Sequence, residues 1–213
     1  MKLNLPNKLT LARMCMVPFL MIFITFDFGI GIWSRLIAAA FFALASATDF
    51  VDGYIARRDN LVTNFGKFMD PLADKLMVFV ALISLCYVTG RDTFYTYNIF
   101  EDKIVWDKAE VVYGVCLLAA TVIVIFRELA VTSMRMVVTN TDGVVIAANW
   151  LGKVKTCVQI GFILSAIIEP MFDYKFLGGH AVSYVMMAAM TVMTVWSGVE
   201  YFKGYWKYIN PSV

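Results

Sequence analysis

Along this chain the polar residues are the interruptions. Six stretches, residues 9–28, 32–55, 66–89, 111–138, 150–169 and 181–203, are predominantly apolar. Each is close to the roughly 20 residues that a helix needs to cross the hydrocarbon core of a bilayer. The breaks between them are short except for Gly90 to Glu110, a polar segment whose Phe94, Tyr95, Tyr97 and Trp106 suit a short helix at the headgroups. The pattern predicts an all-α, polytopic integral membrane protein with six transmembrane helices. Residues 1–213 form a single membrane domain, opened by a short interfacial segment, 1–8. The first stretch starts a few residues in and contains Arg13, unlike a cleaved signal peptide, and is expected to stay.

Composition agrees: 61% of the 213 residues are hydrophobic and the mean hydropathy is +0.73, which excludes an ordinary soluble globular domain. The net charge of +2 matters less than where the cations fall. With six spans, the N-terminus, the turns at 55–66 and 138–150 and the C-terminus share one side. Only Arg35, Arg91, Lys103, Lys108 and Lys175 belong to the other, so the cation-rich side, with both termini, is expected in the cytoplasm. Trp33, Trp106, Trp150 and Trp206 fall near the predicted interfaces. Cys15, Cys86, Cys116 and Cys157 lie inside apolar stretches without C-x-x-C spacing and read as packing residues. His180, the one histidine, lies on the side opposite the acids and reads as a solvated loop residue. No feature points to nucleic acid.

Four aspartates need a reason. Asp49, Asp52, Asp70 and Asp74 occur as D-x-x-D-G-x-x-A-R, eight residues, then G-x-x-x-D-x-x-x-D. An ionised Asp near the bilayer midplane costs roughly 2.5–3.5 kcal/mol on insertion scales, so four imply a compensating partner. On helices, Asp49 and Asp52 (i, i+3) share one face, and Asp70 and Asp74 (i, i+4) share another across the hairpin. Carboxylates without Cys or His suit a hard cation, Mg²⁺ or Mn²⁺, rather than Zn²⁺. Two such ions about 4 Å apart form a clamp for displacement at phosphorus. Gly53, Ala56 and Gly66 keep the groove open to a bulky ligand, Arg57 offers a planar fork to phosphate, and Pro71 is expected to bend the third helix and re-aim Asp74. The blander alternative is solvated caps and ordinary ion pairs, Asp49 with Arg57 and Asp70 with Lys67. Eight fixed positions together argue against it; Asp59, outside the pattern, is the ordinary solvated acid by contrast.

Asp49, Asp52, Gly53, Ala56, Arg57, Gly66, Asp70 and Asp74 match in type and spacing the signature of the CDP-alcohol phosphotransferases, and on these residues the chain resembles that family. The resemblance implies a six-helix membrane enzyme that transfers a substituted phosphate from a CDP-linked donor to an alcohol, releasing CMP. It implies that Asp49, Asp52, Asp70 and Asp74 hold two divalent cations, Mg²⁺ or Mn²⁺, with Asp74 also the general base. It further implies that Gly53, Arg57 and Thr63, in a groove that Ala56 and Gly66 keep open, contact the CDP group. The stretch NKLTLAR, with Asn7, Thr10 and Arg13, looks like the family's short leading helix beside the nucleotide pocket. Homodimers are known in the family, but no small-xxx-small run here singles out a contact.

The acceptor has to be read from the second half of the chain. Arg127, Arg135, Lys153 and Lys155 lie within or at the ends of spans four and five, on the side of the aspartates, where an unpaired charge is costly. An anionic acceptor accounts for them; the alternative is anchoring to anionic headgroups by snorkelling. FRELAVTSMR (126–135) and GKVKTCVQ (152–159) resemble segments of the family's bacterial phosphatidylglycerophosphate synthases. That resemblance implies CDP-diacylglycerol as donor, glycerol 3-phosphate as acceptor with its phosphate on the four cations, and a bacterial cytoplasmic membrane among whose lipids the chain resides. Glu128 is expected to pair with one of the cations, and Asp142 and Glu200 to be solvated or structural. Two other readings remain: a family member with another acceptor, such as phosphatidylglycerol in the cardiolipin synthases, inositol phosphate or serine; and a non-enzymatic cation transporter. A transporter would spread its acids through the membrane depth, whereas these four gather at one hairpin. An Asp-rich prenyl-diphosphate enzyme would need the contiguous D-D-x-x-D pattern.

Overall fold

The structure is a computed structural model that describes residues 5–26, 28–58, 64–95, 108–142, 150–172 and 180–209. Among them are six α-helices: α1 (Leu5–Thr25), α2 (Ile32–Arg58), α3 (Asn64–Tyr95), α4 (Lys108–Asp142), α5 (Trp150–Ile168) and α6 (Ala181–Ile209), with a 3₁₀ turn, Glu169–Met171, after α5. No strand occurs among the described residues. Each of the six apolar stretches falls on one helix. Five helices are long and apolar enough to cross a membrane, and α2 adds a shorter apolar run, Ile32–Thr48, so the chain is a polytopic membrane protein.

Helix length positions the polar chemistry. At 1.5 Å per residue, the 32 residues of α3 and 35 of α4 reach about 50 Å, well beyond the roughly 30 Å hydrocarbon core. In the sequence of α2 the first aspartate, Asp49, follows directly on the apolar residues that lead up to Thr48. The polar segment expected at 90–110 is narrower than the sequence suggests, because α3 continues to Tyr95 and α4 begins at Lys108; Tyr97 and Trp106 lie outside the described residues. Pro71 is accommodated inside a continuous α3.

α1 packs on α2 and α3, α4 and α5 pack on α6, and contacts of α3 with α4 and of α2 with α5 join the two sets. The core alternates small and large side chains, with Ala38, Ala81 and Ala120 beside Phe42, Leu82, Leu117 and Phe162. Small residues let helices approach closely where lipid removes the ordinary hydrophobic drive. The outer surface is apolar too: Phe126 is 73% and Val185 69% exposed, as a lipid-facing surface requires. Trp33, Trp150 and Trp206, near helix ends, are exposed as well.

The end opposite the aspartates is closed by specific bonds. Gly29 and Gly31 take positive φ (72° and 54°) in the α1–α2 turn, a conformation that favours glycine. Ser34 Oγ lies within hydrogen-bonding distance of the Phe23 and Phe26 carbonyls (2.9 and 3.0 Å), and Arg91 donates to the Thr25 carbonyl (2.8 Å). The buried Glu169 carboxylate accepts the Val182 and Ser183 N–H groups (2.9 and 2.8 Å), capping α6 from the preceding turn.

Two sequence readings need correction. His180 is a packed residue, stacked on Tyr113 with 4.1 Å between ring centroids and 3.2 Å from Glu110, because its position just before α6 turns the ring onto α4. Cys15, Cys116 and Cys157 are exposed on the surface of the bundle; of the four, only Cys86 turns inward, 3.3 Å from Thr121 Oγ1.

Candidate active site

The site begins on the first turns of α3. Gly66, Asp70, Ala73, Asp74 and Met77 recur at helical spacing on one face; Gly66, Ala73 and Met77 are buried, and the two aspartates between them line a cavity. Behind Asp70 stands α1. Asn7, Thr10 and Arg13, three residues apart, are all buried, and Thr10 Oγ1 donates to Asp70 Oδ1 at 2.6 Å. A hydroxyl bonded to a carboxylate at this distance is a charge-assisted bond, and it fixes the orientation of one acid while leaving its second oxygen available.

The cavity, about 420 Å³, runs from this face of α3 to α4, α5 and α6. Its walls carry Asp70, Asp74 and Lys75 from α3, Arg127, Glu128, Thr132 and Arg135 from α4, Lys153, Lys155, Thr156 and Gln159 from α5, and Tyr201 from α6. Met77, Val78, Phe79 and Ile160 supply apolar lining. All four cations singled out by sequence therefore border one space together with Asp70 and Asp74.

The cations differ in setting. Lys155 is 5% exposed, whereas Arg135 and Lys153 are open to solvent. Glu128 Oε1 accepts from both Arg127 Nη1 (2.9 Å) and Lys155 Nζ, so this acid binds two of the cations rather than one. Arg127 also donates from Nη2 to Ser197 Oγ (2.9 Å), and its guanidinium lies 5.4 Å from the centroid of the Tyr201 ring, with that of Arg135 at 6.0 Å. Its stem passes α6 at Gly198, where an added Cβ would meet Arg127 Cγ at 3.2 Å. Lys75 Nζ donates to Thr132 Oγ1, which donates to the Glu128 carbonyl (2.7 Å), tying α3 beside Asp74 to the cationic wall. Among the described residues, five cations and three carboxylates line the cavity, with the cations concentrated on α4 and α5. The chemistry of such a wall, beside a pair of acids, suits a multiply charged anion.

Asp49, Asp52, Gly53, Ala56 and Arg57 belong to the last turns of α2, but their side chains lie outside the described residues, as does Thr63 altogether. Among the described residues no three His, Cys, Asp or Glu gather to hold a metal ion; Asp70 and Asp74 stand as a pair. Asn7 and Thr10 back the α3 face from α1 and do not line the cavity. Sequence reasoning passed over Lys75, Thr132, Gln159 and Tyr201 as site residues. Two of these carried a signal: Thr132 is four residues past Glu128 and Gln159 four past Lys155, each on the face its predecessor presents. Tyr201 carried none.

Residues 3–196 match the family model described as CDP-alcohol phosphatidyltransferase. The chain belongs to that family. A CDP-diacylglycerol–glycerol-3-phosphate 3-phosphatidyltransferase of Bacillus subtilis is 39% identical, with 98% of each chain covered. One of the same name from Yersinia enterocolitica is 32% identical, with 97% of each covered. A probable phosphatidylglycerophosphate synthase of Mycobacterium tuberculosis is 35% identical over 93% of this chain and 79% of its own. The match takes in the aspartate-bearing helices and the cationic segments alike. In this CDP-alcohol phosphatidyltransferase, Tyr201 alone among the described cavity residues lies beyond the matched region.

Proposed function

We propose that this protein transfers the phosphatidyl group of CDP-diacylglycerol to sn-glycerol 3-phosphate, giving phosphatidylglycerophosphate and CMP. The names of relatives that match nearly end to end support the reaction. The observation that carries it to named residues is the single cavity in which Asp74 meets Arg127, Arg135, Lys153 and Lys155. A phosphate on the α4–α5 wall brings the acceptor alongside the acids of α3.

The donor set fits a hard divalent cation: Asp70 and Asp74 offer oxygen alone, and no His or Cys lines the cavity. Asp49, Asp52, Asp70 and Asp74 would hold two Mg²⁺ or Mn²⁺ ions. Bound there, such ions neutralise diphosphate charge and stabilise the departing CMP oxygens. The chain's own residues do the rest. Thr10 holds Asp70 in place. Gly53, Arg57 and Thr63, together with Asn7 and Thr10 of α1 and with small Ala56 and Gly66 leaving room, would receive the CDP group. The four cations hold the acceptor phosphate, and Glu128 keeps Arg127 and Lys155 at fixed separation. Asp74 takes the proton from the acceptor's primary hydroxyl as its oxygen attacks the phosphorus that carries diacylglycerol, and the bond from that phosphorus to the CMP oxygen breaks. The site and both termini face the cytoplasm of a bacterial cell, the side of the cation-rich turns, so the soluble acceptor arrives from water and the donor from the bilayer.

The test is CMP release by the purified protein in micelles, with CDP-diacylglycerol and a panel of glycerol 3-phosphate, phosphatidylglycerol, inositol phosphate and serine. Release with glycerol 3-phosphate alone is expected. Release with phosphatidylglycerol instead overturns the acceptor, and no release with any acceptor overturns the enzymatic reading in favour of a transporter.

A further inference from the structure

Glycerol 3-phosphate presents three groups to a protein, and the reading above uses two of them. The phosphate has the cations and the primary hydroxyl has Asp74. The secondary hydroxyl, at once a donor and an acceptor, is unaccounted for, and a cationic wall supplies donors only.

The neutral polar side chains that line the cavity on α4 and α5 are Thr132, Thr156 and Gln159. Thr132 is occupied on both sides, accepting from Lys75 and donating to the Glu128 carbonyl. Thr156 donates to the Gly152 carbonyl at 3.0 Å, inside its own helix. Gln159 is different. It is only 2% exposed, and its Nε2 has no hydrogen-bond partner among the described residues. It follows Lys155 by one turn of α5, on the same face, next to the apolar lining of Met77, Val78 and Ile160. A buried amide in such surroundings is costly unless water or a ligand meets it. Its amide offers a donor and an acceptor together, the complement of a hydroxyl group.

We propose that Gln159 is a specificity residue that hydrogen-bonds the secondary hydroxyl of the acceptor, one turn below the lysine that holds the acceptor's phosphate. This rests on glycerol 3-phosphate being the acceptor. A site built to bond a hydroxyl rejects the analogue that lacks it, because the site's own polar group is then left unpaired.

The experiment compares glycerol 3-phosphate with 3-hydroxypropyl phosphate, which keeps the phosphate and the primary hydroxyl and lacks the secondary one, by CMP release from the intact protein in micelles. The unaltered protein is expected to favour glycerol 3-phosphate in kcat/KM by roughly 10- to 100-fold. Gln159→Met, similar in volume, is expected to bring that preference to within about threefold, chiefly by loss on glycerol 3-phosphate. Gln159→Asn, the milder change, is expected to cut it several-fold and serves where the methionine variant does not accumulate. A preference unchanged in the variants overturns the proposal, whether both acceptors fall together, as a purely structural role requires, or neither does. Failure of the unaltered protein to use glycerol 3-phosphate at all is a separate outcome: it overturns the acceptor reading, and this inference with it.

Discussion

Glu128 is the acid that two cations share, and its replacement gives a quantitative test of the cationic wall. Its Oε1 accepts from Arg127 and Lys155, and the side chains of Glu128, Arg127 and Lys155 are 14%, 11% and 6% exposed. Glu128→Gln leaves two like charges facing a neutral amide; Lys155→Met leaves the carboxylate with Arg127 alone. For unit charges about 4 Å apart at an effective dielectric of about 20, the attraction is about 4 kcal/mol. A neutral amide keeps about 1 kcal/mol of that as an ordinary hydrogen bond, so the coupling between positions 128 and 155 is about 3 kcal/mol. Each single variant is expected to lose about 3 kcal/mol, the lower end of the cost of breaking a buried pair. The double variant is expected to lose about the same rather than twice as much, because the second change removes the charge that the first left exposed. Reversible unfolding of all four proteins in mixed micelles with increasing dodecyl sulfate measures the cycle. Additivity to within about 0.5 kcal/mol would refute the reasoning, since uncoupled residues do not form the pair.

Asp74→Asn is expected to lower kcat by roughly 10²- to 10⁴-fold with CDP-diacylglycerol binding retained, and near-normal turnover would remove Asp74 as the base. Lys153→Ala is expected to raise KM for glycerol 3-phosphate about tenfold with kcat nearly unchanged; unaltered acceptor kinetics would return that lysine to membrane anchoring. Thr10→Val removes the bond to Asp70 Oδ1, and a loss of roughly 10-fold or more in kcat/KM is expected from a bond to a charged group. The same variant measured for stability should fall by far less than a core truncation, since the two side chains are close in size. Chelation of divalent ions should abolish CMP release, with Mg²⁺ or Mn²⁺ restoring it; activity that persists in a chelator would contradict the proposed role of the four aspartates.

The parts of this molecule that were legible in its sequence are those where one physical demand acts on one segment. Each apolar stretch had to become a helix, because a lipid-exposed backbone must satisfy its own hydrogen bonds, and all six did. Helix ends were less legible: α3 and α4 run past their apolar stretches to Tyr95 and from Lys108, since extension into water costs little once the helix is nucleated. The grouping of Arg127, Arg135, Lys153 and Lys155 was legible because a charge in a span needs a shared polar space, and they border one. The residues overlooked depend on pairing between segments far apart. Lys75 reaches Thr132 across 57 residues, and Tyr201 meets Arg127 across helices whose rotation no local pattern specifies. His180 was misread for the same reason: nothing near it in sequence announces that Tyr113 and Glu110 await it.

The charge balance of the cavity also bears on which acceptors the site admits. Among the described residues, five cations and three carboxylates stand around the cavity, and Lys155, at 5% exposure, has little water to make up a deficit. Glu128 is divided between Arg127 and Lys155, so neither receives a full counter-charge. Serine, a zwitterion whose carboxylate comes with an ammonium group, would displace water from this wall and bring no net charge in return, leaving desolvated cations under-compensated. A phosphomonoester brings two negative charges to the side where the surplus lies. Rejection of acceptors without net charge would thus follow from the same residues proposed to bind the anionic one. Phosphatidylglycerol, whose phosphate is a singly charged diester, brings about half the phosphomonoester's charge. Acceptor choice is in this view a matter of charge first, set by α4 and α5, and of hydroxyl placement second, set one turn deeper.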